Sequence, residues 1–96
     1  MKDGLKMLHI VAYDITSNRR LRRVAHICED FGLRIEKSVF ECELVQEDFE
    51  AFWSRLDRTI ADGDSVIDYP IPDFYRSRIR TLGASRRSEP SSAIVI

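Results

Sequence analysis

The chain has 96 residues, 44% apolar and 32% charged, and its 15 Lys and Arg against 16 Asp and Glu leave a formal net charge of −1. That length supports one domain rather than two cores, and no apolar run approaches the roughly 20 residues a membrane-spanning helix needs. A near-neutral total argues against tight, non-specific binding of a polyanion by a single copy.

The first predicted strand covers residues 8–13, an apolar run with little alternation that ends at Asp14. Ahead of it, residues 1–6 form an extension without the apolar stretch or cleavage site of a secretory signal, so the expected location is the cytoplasm. Residues 14–18 form a loop, with Ser17 or Asn18 as helix N-cap. The helix then runs to about Phe31, burying Leu21, Val24, Ala25, Cys28 and Phe31 on one face, with Gly32 as its C-cap. Residues 33–45 are rich in β-formers and read as two short strands or one broken hairpin, bent at Glu36-Lys37-Ser38.

A second helix, from about Glu47 to Ile60, places Phe49, Phe52, Trp53, Leu56 and Ile60 on one face. Asp62-Gly63-Asp64 is a stop and turn. Ser65 to Tyr69 is the last core strand, with Pro70-Ile71-Pro72 blocking its continuation. The order β-α-β-β-α-β predicts an α+β, ferredoxin-like sandwich. Its two helices cover one sheet face, and a second copy of the chain is the simplest cover for the other. In residues 75–82, Arg76, Arg78 and Arg80 alternate with Ser77, Ile79 and Thr81, the period of an extra C-terminal strand that pairs with a partner's sheet edge. The domain is thus expected over residues 7–83, with a polar tail at 84–96 in which Ala93 to Ile96 suit a short edge strand.

Charge is unevenly spread. Between residues 36 and 73 eleven acids face only Lys37, Arg55 and Arg58, whereas between 19 and 34 five arginines face only Glu29 and Asp30. Twelve of the fifteen cations are arginine, whose planar fork suits phosphate. Arg19, Arg20, Arg22 and Arg23 crowd a helix start, where positive charge opposes the macrodipole by about 0.3 kcal/mol each or more. The same helix end attracts phosphate. The arginines therefore read either as a solvated charged face or as a polyanion site. Asp14 reads either as a turn residue bonding the backbone two positions on or as a ligand for a hard divalent metal. One carboxylate is a thin metal site, so the metal reading needs a two-fold partner to supply a second. Tyr13 and Phe40 suit base stacking or core packing, and Arg34 and Ser38 suit phosphate contact. His9 and His26 show no partner pattern. Cys28 and Cys42 form no CxxC pair, so neither zinc nor a disulfide framework is expected.

These pieces together resemble the family of CRISPR-associated protein 2, over roughly residues 7–83. The resemblance rests on the apolar strand ending Tyr13-Asp14-Ile15, the arginine-rich helix start, Phe31-Gly32-Leu33-Arg34-Ile35, Ser38-Val39-Phe40-Glu41, and Asp64-Ser65-Val66 running to Tyr69-Pro70. It implies a ferredoxin-like homodimer whose C-terminal strand crosses to the partner. It implies that Asp14 is the catalytic aspartate, holding Mg²⁺ at the dimer interface. It also implies that Arg23, Arg34, Ser38 and Phe40 serve nucleic-acid binding or cleavage. The implied activity is metal-dependent endonucleolytic cleavage of RNA or DNA. The implied partners are DNA or RNA and two dimers of the CRISPR integrase, in a heterohexameric complex that captures spacers. Glu36 departs from the pattern, because the family commonly has Gln there. The alternatives are a catalytically silent DNA-binding scaffold of that complex, or a ferredoxin-like RNA-binding or regulatory module.

Overall fold

The computed structural model of the chain describes residues 4–84. The elements are β1 (Met7–Asp14), α1 (Asn18–Phe31), β2 (Leu33–Glu36), β3 (Val39–Leu44), α2 (Gln46–Thr59), β4 (Ser65–Ile71) and a 3-10 helix (Asp73–Arg78). The strands form one antiparallel sheet in the order β2-β3-β1-β4. This is the expected ferredoxin-like arrangement.

Alternation along β1 divides the molecule into layers. His9, Val11 and Tyr13 face the helices and are buried. They meet Val24, Ile27 and Cys28 of α1 and Phe49, Phe52 and Leu56 of α2, with Phe40 and Cys42 of β3 completing the core. Of the α1 residues expected inside, Leu21 and Phe31 pack at the rim, while Ile27 is buried instead. Burial pushes the Cys28 and Cys42 thiols up to about 12, which leaves both as unreactive packing groups. His9 Nδ1 lies 2.8 Å from Asp68 Oδ1, and its ring stacks on Phe49 with centroids 4.1 Å apart.

Ser17 caps α1, its hydroxyl accepting from Arg20 N at 3.2 Å. Gly32 closes the helix by donating its N–H to Cys28 O at 2.9 Å. Its backbone is extended rather than left-handed. Glycine is needed there for space, since a Cβ would sit 2.3 Å from Glu41 O and 2.6 Å from Cys42 Sγ.

The far face of the sheet carries Leu8, Ile10 and Ala12 of β1 with their register partners Ile71, Tyr69 and Ile67 of β4. No helix covers it. Leu33, Ile67 and Tyr69 stay exposed there. An apolar groove lined by Ile10, Ile35, Tyr69, Ile71, Ile79 and Leu82 runs along this face.

One expectation needs correction. Pro70 does not stop the last strand: β4 continues to Ile71, with Pro70 opposite His9. β4 is an edge strand, where a proline's missing N–H costs the sheet no second ladder. The strand expected over residues 75–82 was to pair with a partner's sheet edge, and the single chain offers no such edge to it. Residues 73–78 wind into the 3-10 helix, and Arg76 reaches back to Glu43 on the far sheet face. A 3-10 turn aligns side chains three apart, and two such pairs occur: Asp73 with Arg76 at 3.8 Å, and Arg78 over the Tyr75 ring at 5.8 Å. An unpaired strand has no comparable local support. The expected edge strand at residues 93–96 lies outside the described residues.

Candidate functional site

Three connections gather at the C-terminal tip of β1: the loop into α1, the Lys37-Ser38 turn between β2 and β3, and the loop from α2 into β4. Tyr13 N donates to Ser38 O at 3.1 Å, which fastens the turn to the strand tip.

On the helix side of the tip, Tyr13, Leu21, Arg22, Ala25, Arg34, Lys37 and Ser38 enclose a pocket of about 220 Å³. Four residues singled out from the sequence, Tyr13, Arg22, Arg34 and Ser38, thus come together. Arg34 is held firmly: its Nη1 donates to Lys37 O at 2.5 Å, its Nη2 lies 3.4 Å from Glu29 Oε2, and its guanidinium sits 5.0 Å over the Phe40 ring. Burial pushes the Tyr13 phenol above its usual range, with the Arg34 guanidinium opposing. Lys37 adds a cation that the sequence reading passed over as part of a bend. Its signal was its place between Arg34 and Ser38.

Asp14 ends β1 opposite Ser65, on the far face of the sheet from this pocket, and is exposed. The turn reading fails for it. The donor two residues on, Thr16 N, bonds Asp64 Oδ1 at 2.9 Å instead. Asp14 makes no hydrogen bond or ion pair among the described residues, so its carboxylate faces solvent.

Asp64, expected in the turn Asp62-Gly63-Asp64 and in the run Asp64-Ser65-Val66, is a second residue whose part at the strand tip has no local sequence signal. Its fully covered carboxylate accepts from Thr16 N and Thr16 Oγ1 at 2.9 Å each, from Arg20 Nε at 2.7 Å, from Arg20 Nη2 at 3.3 Å and from Ala61 N at 2.9 Å. The Arg20 guanidinium, then the Thr16 amide, hold its carboxyl well below the usual carboxylate range. Gly63, at φ 89°, provides the left-handed turn that aims it.

Several residues expected to touch nucleic acid, among them Arg76, Arg78 and Arg80 as the phosphate-holding surface of the scaffold alternative, lie elsewhere. Arg20 is committed to Asp64 and is a structural clamp. Phe40 is fully buried and Tyr13 nearly so, and neither presents a ring face for a base to stack on. Both are core residues, because the alternation of β1 and β3 turns them toward the helices. Arg76 pairs with Glu43, and Arg78 lies over Tyr75, both on the 3-10 helix away from the strand tip. Arg80 lines the apolar groove. Arg19 and Arg23 are exposed on α1, outside the strand-tip pocket.

As for a metal, no group of three or more His, Cys, Asp or Glu that could hold one occurs among the described residues. A free carboxylate at a strand tip still fits the way Mg²⁺ usually binds, with one or two carboxylates and the remaining positions taken by waters and phosphates.

Residues 7–79 match the family described as CRISPR associated protein Cas2. The chain is 31% identical to the CRISPR-associated endoribonuclease Cas2 1 of Moorella thermoacetica, over 94% of this chain and all of that one. It is 29% identical to CRISPR-associated endoribonuclease Cas2 3 of Synechocystis, over 93% and 98% of the two chains. The crystal structure of Streptococcus pyogenes Cas2 at pH 6.5 superposes with a TM-score of 0.72 at 35% identity, covering 80% of this chain and 100% of that one. With the match beginning at the first residue of β1 and running past the 3-10 helix, the chain belongs to the CRISPR associated protein Cas2 family.

Proposed function

We propose that two copies of this chain form a metal-dependent endonuclease of CRISPR adaptation, with an RNA or DNA phosphodiester as substrate. The observation that carries this reading is the free Asp14 carboxylate at the tip of β1, released from its expected turn bond by Asp64. The endoribonuclease names of the relatives support the reaction class, and they favour RNA.

The roles follow from the chemistry of each group. Asp14 would hold Mg²⁺ together with the partner copy's Asp14. Bound there, Mg²⁺ supplies Lewis-acid polarisation of the phosphodiester. Arg22 grips phosphate oxygens as a fork, Lys37 adds a point charge, and Arg34, whose Nη atoms already serve Lys37 O and Glu29, adds positive potential beside them. The Ser38 hydroxyl donates to a phosphate oxygen. The uncovered apolar face of the sheet supports dimerisation, since Ile67 and Tyr69 stay exposed beside the same strand that ends in Asp14.

A second reading is a silent scaffold that holds duplex DNA between dimers of the CRISPR integrase. One observation favours it: each chain offers a single carboxylate and no metal cluster among the described residues.

One experiment separates the two. Cleavage of a labelled RNA and a labelled DNA is measured with Mg²⁺ and with EDTA, for the native chain and for Asp14→Asn. Endonuclease chemistry requires activity that EDTA abolishes and that falls at least about a hundredfold in the variant. Cleavage that survives in Asp14→Asn removes Asp14 from the reaction, and inactivity of both proteins favours the scaffold.

A further inference from the structure

Where α1 packs beside α2, Arg23, His26, Arg55 and Arg58 line a groove of about 390 Å³ floored by Ile27 and Thr59. Arg22 and Arg23 are neighbours in sequence, yet a helix turns ~100° per residue. Arg22 therefore serves the strand-tip pocket, and Arg23 opens into this second groove.

The charges in the groove are unevenly balanced. Arg55 donates to Asp30 at 3.2 Å and lies 5.6 Å over the Phe31 ring, so it is largely satisfied. Arg58 Nη1 donates to Ser54 Oγ at 2.6 Å, which braces the side chain along α2 and leaves its other donors open. His26 Nδ1 stands 3.5 Å from Glu29, a carboxylate shared with Arg34. Neither Arg23 nor Arg58 has a carboxylate partner among the described residues. Two guanidinium groups from different helices thus line one depression, over Ile27 and Thr59, and neither has a counter-charge of its own among the described residues. Like charges held together in this way repel, and an oxyanion between them would turn that repulsion into two forked, charge-assisted contacts. The volume lies in the range of small-ligand sites.

We propose that the α1–α2 groove is a second binding site for a phosphate group, held between Arg23 and Arg58. The phosphate can belong to a free phosphate species or to a nucleic-acid strand running over the helical layer. This inference does not rest on the nuclease reading: of its two arginines only Arg23 is one that the family resemblance links to nucleic acid, and it is read by binding rather than cleavage.

The test is titration of the full chain with sodium pyrophosphate, and separately with a 12-nucleotide oligothymidine, followed by amide and arginine side-chain nitrogen signals in NMR. The site predicts shifts at Arg23, Ile27 and Arg58 that saturate, and affinity at least about tenfold weaker in Arg23→Ala/Arg58→Ala. Saturable shifts with pyrophosphate assign a free phosphate species, and shifts with the oligonucleotide alone assign a strand. The proposal is overturned if neither probe moves those signals, or if the double variant, shown folded by its own spectrum, binds as well as the native chain.

Discussion

Asp64 Oδ1 takes the backbone N–H of Thr16 at 2.9 Å, the same donor that a turn begun by Asp14 would have claimed. Two carboxylates thus compete for one amide, and the one further along the chain wins because Arg20 and Ala61 hold it in place. Replacing Asp64 with Ala frees Thr16 N, and Asp14 then becomes its nearest acceptor in sequence. Asp64→Ala is expected to lower both the thermal midpoint and kcat for phosphodiester cleavage, while Asp64→Asn, which keeps an acceptor oxygen, retains more of each. Equal loss of activity in the two variants at matched folded fraction would remove Asp64 from the positioning of Asp14.

The Asp64 carboxyl is held well below its usual range by Arg20 and Thr16. A depressed folded value stabilises the protein above the unfolded carboxyl value of about 4, and that contribution disappears as pH falls through the folded value. The gap in urea midpoint between native protein and Asp64→Asn should therefore be the same at pH 7 and pH 5 and narrow only at pH 3. A gap that stays constant with pH contradicts this origin.

Arginines on one helix should behave differently. Arg22→Ala is expected to reduce the slope of log affinity against log salt for an oligonucleotide by about 1. Arg20→Ala should leave that slope unchanged and lower the thermal midpoint, because its guanidinium already serves Asp64. Fluorescence anisotropy at several salt concentrations distinguishes the two behaviours.

At Gly32 even a methyl group meets the Glu41 carbonyl and the Cys42 sulfur. Gly32→Ala is expected to destabilise by about 1–3 kcal/mol, the usual range for overpacking. Chemical denaturation checks it. A cost near zero would mean that the α1–β3 contact yields easily.

Tyr69 stands exposed between Ile67 and Ile71 on the open sheet face. Tyr69→Glu should convert a dimer to a monomer in sedimentation velocity, with the far-ultraviolet circular dichroism unchanged. A native chain that sediments as a monomer at every concentration would contradict the proposed assembly.

Much of the architecture was legible from local pattern. The apolar run from Leu8 to Tyr13 marked the central strand, and the spacing of Phe49, Phe52 and Leu56 marked the buried face of α2. The Asp64 clamp was not legible, because its bonds to Thr16 and Arg20 join residues more than forty positions apart and only the folded chain brings them together. Residues 75–82, expected as a strand on a partner's sheet edge, carry two periods at once. Their arginines repeat every two positions, as in a strand, but Asp73 with Arg76 and Tyr75 with Arg78 also repeat every three. A segment this short satisfies both periods, and the available partner decides. The aromatics Tyr13 and Phe40 offered no sign in sequence of which way they face, and the register of β1 against β3 turned both inward.

Asp14 has the same parity along β1 as Leu8, Ile10 and Ala12, so it leaves the sheet on the side that has no helix. If that side is where two copies meet, the reacting carboxylates and the glue between subunits occupy alternate rungs of a single strand. Initial velocity would then be second order in protein at concentrations too dilute for association, and first order once every chain has found its mate. Inserting one residue between Leu8 and Ala12 would turn Asp14 toward the helices, losing assembly and chemistry together.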